Sequence, residues 1–194
     1  MATIRTFIAA ELTQASLSWA SSTQTELSKL VASNDIKFTP LQQFHLTLAF
    51  IGDVDTRILP RFVSLMDNIN TKLPILVSID RIGHFSRNGS ISVIWAGIKR
   101  NEILDNLNAD ILAQLKLLVR LERAPFKPHL TLARVKPEID FATNNRIIEF
   151  AASNSLLLPF QDSISKVVLY KSDLKPAGPI YTRLHTIKLQ DEIQ

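Results

Sequence analysis

The chain has 194 residues, enough for one large domain or two small ones around a well-buried core. Hydrophobic residues make up 46% of it and charged residues 21%, a globular balance, and no apolar run approaches the about 20 residues that cross a bilayer. The absence of cysteine excludes disulfides, thiolate catalysis and cysteine zinc sites; a formal charge of +4, with no block of five like charges, mildly favours a polyanionic partner without marking a basic tail.

The opening residues, "MATIRTFIAAEL", lack a basic leader, a clean apolar stretch and a small-residue cleavage site. They read as a first strand, "TIRTFIAAEL", and with the lack of cysteine they give the expectation of a cytoplasmic protein that does not engage a membrane. Leu12, Ala15, Trp19, Leu27 and Leu30 fall on one face of a first helix, and Lys37 to Pro40 read as a turn into a second strand, "FHLTLAF", closed by "GDVD". Ile58, Phe62, Leu65, Met66 and Ile69 predict a second helix by their spacing. "ILVSID" and "SISVIWAGI" read as strands separated by the turn "GHFSRNGS".

A third helix is predicted by Ile103, Leu107, Ile111, Leu115 and Leu118, at steps of four, four, four and three. "RAPFKP" breaks the chain before "PHLTLAR", and a further helix is expected around Arg146 to Ala152. The strand "SISKVVLYKS", the loop "DLKPAGP" and the strand "IYTRLHTIKL" complete the pattern. Interleaved helices and strands without a long linker predict an α+β or α/β layered fold.

The informative feature is a repeat. "HLTL" occurs at His45 to Leu48 and again at His129 to Leu132, starting 84 residues further on, a separation too long for a solenoid period. Two similar lobes, each contributing one such strand, follow from it. Side chains alternate across a strand, so in each tetrad the histidine and threonine share one face and the two leucines the other. The leucine face can bury, whereas the polar face must meet water or a ligand, because burying it unpaired costs a few kcal/mol, roughly.

If the lobes face each other, two imidazoles and two hydroxyls line one cleft. One neutral ring then accepts a proton from an attacking water or hydroxyl, and the other, protonated, donates to the departing oxygen. The hydroxyls of Thr47 and Thr131 donate hydrogen bonds to negative oxygens, and Arg134, five residues after His129, supplies a cation where the first copy has Phe50. Phosphate ester cleavage needs this set.

The chain resembles the two-histidine phosphoesterase superfamily, defined by paired His-x-Thr-x tetrads, and within it the RNA 2′,3′-cyclic phosphodiesterases, also known as 2′–5′ RNA ligases. "RTFIAAEL", "QQFHLTLAFIGDV", "VIWAGI", "PFKPHLTLARVK" and "LYKSDLKPAGPIYTRL" carry the resemblance over nearly the whole chain. It implies a single bilobal α+β domain over residues 1–194, with two pseudo-symmetric lobes, each an antiparallel sheet with flanking helices, around a central cleft. It implies no metal or other cofactor. His45 would be the proton donor to the leaving 3′ oxygen and His129 the base that activates water, although a symmetric cleft lets the two exchange roles. Thr47, Thr131 and Arg134 would hold the phosphate, and the product would be a 2′-phosphomonoester. The substrates expected are RNA ends or nucleoside cyclic phosphates, acted on by a monomer, with weak 2′–5′ ligation open to the same catalyst in reverse.

Beyond the tetrads, Arg5, Phe7 and Tyr181 are candidates to line the nucleotide side of the cleft, with Phe7 expected in the core and Tyr181 either lining or packing. His84 is expected exposed in a turn and His185 structural, since Ile187 stands where a third tetrad would have threonine. Three other readings remain open at this level. A zinc hydrolase would use His84 or His185 as third ligand, but neither tetrad has a carboxylate or thiolate close by. A non-catalytic RNA-binding module is permitted by charge but lacks aromatic stacking motifs. A superfamily relative acting on 2′,5′-oligonucleotides or on cyclic phosphates of ADP-ribose would carry the same tetrads.

Overall fold

The computed structural model describes residues 2–32, 34–69, 74–122, 125–137, 139–153, 158–176 and 178–189. Its elements are β1 (Thr3–Glu11), α1 (Gln14–Ser28), β2 (Ile36–Phe38), β3 (Leu46–Asp55), α2 (Leu59–Asp67), β4 (Ile75–Arg87), β5 (Ser90–Ile98), α3 (Glu102–Leu115), β6 (His129–Val135), α4 (Phe141–Ser153), β7 (Phe160–Ile164), β8 (Lys166–Lys175) and β9 (Gly178–Lys188). The helices start where polar side chains meet their first free amides. Thr13 accepts from the Ala15 amide at α1, Asn101 from the Leu104 amide at α3, and Asp140 from the Thr143 amide and hydroxyl at α4. Pro60 sits in the first turn of α2, where a missing N–H costs nothing.

The strands form two antiparallel sheets, one of four strands in the order β3-β1-β8-β9 and one of five in the order β2-β6-β5-β4-β7. The expected α+β architecture of two lobes is therefore present. The lobes are not the two halves of the chain, however, because the chain crosses between them. Two strand–helix–strand units, β1–α1–β3 and β5–α3–β6, place each tetrad strand antiparallel beside the strand that opens the unit. In each unit the helix leaves its own sheet and packs on the tetrad strand of the other, α1 on β6 and α3 on β3. α4 covers β4 of the second sheet, and α2 packs on α3 and reaches β9.

Leu46, Leu48, Leu130 and Leu132 all bury in one continuous core that takes side chains from both sheets and from all four helices. Each buried leucine stabilises the fold by about 1.5–3 kcal/mol, which pins the register of its strand and so the outward direction of its histidine and threonine. Amide side chains add a second tie. Asn108 of α3, itself buried, donates to the Leu48 carbonyl (2.6 Å), and Gln24 of α1 donates to the Leu132 carbonyl (2.8 Å) and to that of Thr39 (2.9 Å). The fourth residue of each tetrad is thus held by the helix that crosses over from the other unit.

Several local expectations are corrected. Residues 83–87 of "GHFSRNGS" extend β4, and only Asn88 and Gly89 turn, with φ of 50° and 81°, the left-handed pair that a two-residue hairpin demands. His84 therefore lies on a strand, half-buried and paired with Ile94, with Ser86 Oγ 3.3 Å from its Nδ1. Lys37 belongs to β2, paired with β6, rather than to a turn. Most of "DLKPAGP" is strand, since β8 and β9 continue to Lys175 and from Gly178; Ala177 lies outside the described residues, as do Arg123 and Ala124 of "RAPFKP". The expected strand "SISKVVLYKS" is two: Ser163 and Ile164 end β7, an edge strand paired with β4, and β8 begins at Lys166. His185 is structural as expected, its Nε2 2.7 Å from Asp67 of α2.

Candidate active site

His45 ends the short turn that precedes β3, and His129 opens β6 after Pro128. Their rings are oriented by the same device. His45 Nδ1 lies 2.7 Å from the carbonyl oxygen of Gln43, and His129 Nδ1 lies 2.6 Å from that of Lys127. A carbonyl only accepts, so Nδ1 carries the hydrogen in both rings and Nε2 is left for a ligand. Both histidines line one cleft of about 500 Å³ between the sheets, together with Thr47, Thr131, Arg134 and Tyr181. Every candidate site residue of the sequence thus reaches a single cavity.

The wall behind His45 is aromatic. Its ring lies 5.0 Å from that of Phe7 and 5.3 Å from that of Tyr181, the latter edge-on at 87°. Phe7 stacks at 5.1 Å on Tyr170, whose hydroxyl donates to Glu11 Oε1 (2.6 Å), an oxygen that also accepts from Arg183 Nε (2.6 Å). Phe7 is buried, as expected of a core residue, but in a small cluster with Ala9, Val168 and Tyr170 on the cleft side of the sheet, apart from the main core. Behind His129 the wall is Phe85, edge-on at 5.1 Å, and Trp95 at 6.2 Å. Trp95 fits because Gly83 leaves room: a Cβ there would lie 2.3 Å from the indole.

Burial pushes both imidazoles below the ordinary histidine value. The hydrogen bond to Gln43 opposes this at His45, while the charge of His129 adds to it; at His129 the bond to Lys127 opposes and the charge of Arg134 adds. The two rings therefore sense each other across the cleft, and Arg134 reaches the second of them. Burial raises the Tyr181 phenol against the same Arg134 charge. Among the described residues, no group of three or more histidine, aspartate or glutamate side chains is placed to hold a metal ion.

Some lining residues were not found from the sequence. Lys37 and Gln43 line the cleft, and Gln43 Nε2 donates to the Pro179 carbonyl (2.9 Å), closing one rim against the β8–β9 hairpin. Arg5, expected there, lines it too and lies over the Phe50 ring at 5.2 Å. The aromatic support of His129 from Phe85 and Trp95, and the amide ties from Asn108 and Gln24, carried no local signal, because each comes from a strand or helix distant in sequence.

Two imidazoles with Nε2 turned to one cleft, one neutral and one protonated, together with two hydroxyls and cations, can move two protons on opposite sides of a phosphate while holding its charge. Comparison with known proteins agrees with that chemistry. The family model described as LigT like phosphoesterase matches the chain twice, over residues 12–95 and 98–181, one tetrad in each match. An RNA 2′,3′-cyclic phosphodiesterase of Methanothermobacter thermautotrophicus is 30% identical over 96% of this chain and 99% of its own length. A second, from Methanocaldococcus jannaschii, is 31% identical over 75% of this chain and 80% of its own. The crystal structure of a Thermus thermophilus protein superposes with a TM-score of 0.80 at 27% identity, covering 97% of this chain and all of that one (100%). With its paired tetrad strands facing one cleft and both halves matched by one model, the chain belongs to the LigT-like phosphoesterase family.

Proposed function

We propose that the protein opens 2′,3′-cyclic phosphates, at RNA 3′ ends or on nucleosides, to 2′-phosphomonoesters. The observation that carries this is the matched pair of imidazoles, each with Nδ1 held by the carbonyl two residues earlier and Nε2 left to one shared cleft. His129 Nε2 takes a proton from water as its oxygen bonds to phosphorus. The bond from phosphorus to the 3′ oxygen breaks, and His45 gives that oxygen a proton. A cyclic phosphate monoanion beside His45 favours its protonated form, against the burial that lowers its pKa in the free protein. Thr47, Thr131 and Arg134 hold the non-bridging oxygens, and Tyr181 packs beside His45 on the nucleoside side. With a 5′-hydroxyl end in the place of water, the same transfers bond its oxygen to phosphorus and release the 3′ oxygen as a hydroxyl, a weak 2′–5′ ligation.

Residues 1–194 act in this reading as one bilobal domain, supported by the continuous core shared by the two sheets. The reading has a monomer, because both tetrads of the cleft come from one chain, and it places the protein in the cytoplasm. No helix among the described residues is long and apolar enough to cross a membrane. The test is turnover of a panel of nucleoside 2′,3′-cyclic phosphates in excess chelator, with the phosphate position of the product assigned by phosphorus NMR. A 2′-phosphate formed with chelator present is expected. A 3′-phosphate, or loss of activity on chelation, would overturn the reading.

A further inference from the structure

Resting on the cyclic phosphodiesterase reading, we infer that the cleft holds a second phosphate site, formed by Arg5 and Lys37, for the 5′-phosphate of the nucleotide whose cyclic phosphate is opened. The first ground is charge. Arg5, Lys37 and Arg134 all line the cleft, and among the described residues none that lines it is a carboxylate, whereas a cyclic phosphate brings a single negative charge.

The second ground is the placement of Lys37. It stands directly opposite Arg134 in the β2–β6 ladder, and both side chains point to the cleft. Two cations directly opposite on neighbouring strands, both lining one cleft, fit an anionic occupant. The Lys37 amino group is also fixed against the opposite rim, 3.2 Å from where a Cβ on Gly178 would stand. The third ground is Arg5. Its Nε is buried with no hydrogen-bond partner, its guanidinium lies over Phe50, and among the described residues no carboxylate pairs with it.

These cations gather beside the β8–β9 hairpin: Lys37 lies against Gly178, the Arg134 charge acts on Tyr181, and Arg5 precedes Thr6, which pairs with Lys171 next to the Tyr181 partner Ser172. Along β1, Arg5 precedes Ala9, the partner of Thr47, by four residues, about 13 Å of strand. Along β6, Arg134 follows His129 by five, and Lys37 lies level with it. A nucleotide with its cyclic phosphate at the imidazoles presents its next negative charge across the ribose, at the 5′ position. That charge meets the gathered cations. The substrate class that fits is a ribonucleotide carrying a 5′-phosphate, as ester or as the diester of an RNA chain, in preference to a bare nucleoside cyclic phosphate.

Titration calorimetry with nucleoside 2′-phosphate and nucleoside 2′,5′-bisphosphate tests this independently of turnover. The bisphosphate is expected to bind at least about tenfold tighter, and Arg5→Gln and Lys37→Gln each to remove most of that ratio, while Arg5→Lys keeps part of it. Binding of the bisphosphate should also weaken more steeply with salt in the unaltered protein than in either Gln variant. Melting temperatures of both Gln variants are measured alongside, so that a ratio lost in a variant that still melts cooperatively reports binding and not misfolding. Equal affinities for the two ligands, or a ratio that both Gln substitutions leave intact, would overturn the second site. A ratio that behaves as expected in a protein that opens no cyclic phosphate would sustain the second site and overturn the reaction instead. Comparing a 5′-phosphate with a 5′-phosphodiester then separates a mononucleotide source from an RNA chain; a preference for the diester supports an RNA end, and rejection of both overturns the proposal.

Discussion

Replacing His45 by asparagine separates the acid from the base. The asparagine amide N–H can still donate to the Gln43 carbonyl that holds Nδ1 at 2.7 Å, but nothing replaces Nε2. If Nε2 protonates the departing 3′ oxygen, the loss is that of one proton transfer, about 10²–10⁴ in rate or roughly 2.7–5.5 kcal/mol of transition-state stabilisation. The contacts to Phe7 and Tyr181, 5.0 and 5.3 Å between ring centres, are weakened but not abolished, so substrate affinity should change little by comparison. The assay compares a nucleoside 2′,3′-cyclic phosphate with a 3′-deoxynucleoside 2′-(4-nitrophenyl phosphate), whose leaving group needs no proton. His45→Asn should lose the full factor on the first substrate and only a few-fold on the second. His129→Asn should lose comparably on both, because water still has to be deprotonated. Rescue of His129→Asn in place of His45→Asn would reverse the assigned roles, and equal losses for both variants on both substrates would refute paired acid–base catalysis.

The pH dependence of kcat/KM should be a bell with both limbs on the acid side of an unperturbed imidazole, at about 6.5, because burial lowers both rings in the free protein; the limbs of kcat should lie higher, since bound phosphate favours protonation. The same shifts affect stability. The unfolded chain binds protons that the folded rings refuse, so stability is fully present above about 6.5 and declines as pH falls through the folded values; melting temperatures between pH 7.5 and 5 should drop less in the double variant His45→Asn/His129→Asn than in the unaltered ligand-free protein. Gly83→Ala puts a methyl 2.3 Å from the Trp95 ring and should destabilise by about 1–3 kcal/mol in denaturant melts, with a shift in tryptophan emission as the indole leaves its place beside His129. Asn108→Leu leaves the Leu48 carbonyl without its side-chain donor and should cost about 1–3 kcal/mol, with a fall in kcat as the His45 strand loosens; an unchanged kcat at reduced stability would confine Asn108 to packing.

Two kinds of information were legible in the one-dimensional chain, and both are local. Hydrophobic period placed most helices and strands, and alternation within "HLTL" separated a leucine face that buries from a histidine–threonine face that cannot. Recurrence of the tetrad, with Arg134 after the second copy, was enough to name His45, Thr47, His129, Thr131 and Arg134 among the residues that share the cleft. Strand boundaries near Lys37, His84 and Leu174 were not legible, because each depends on a partner strand whose hydrogen bonds extend the ladder beyond the local turn signals. The exchange of helices between units, which sets Asn108 on Leu48 and Gln24 on Leu132, was equally invisible, as was the pairing of Lys37 with Arg134. A sequence states which side chains a strand offers to each face; which other strand stands opposite, and so which charges and rings meet, is decided only when distant segments pack to bury the same core.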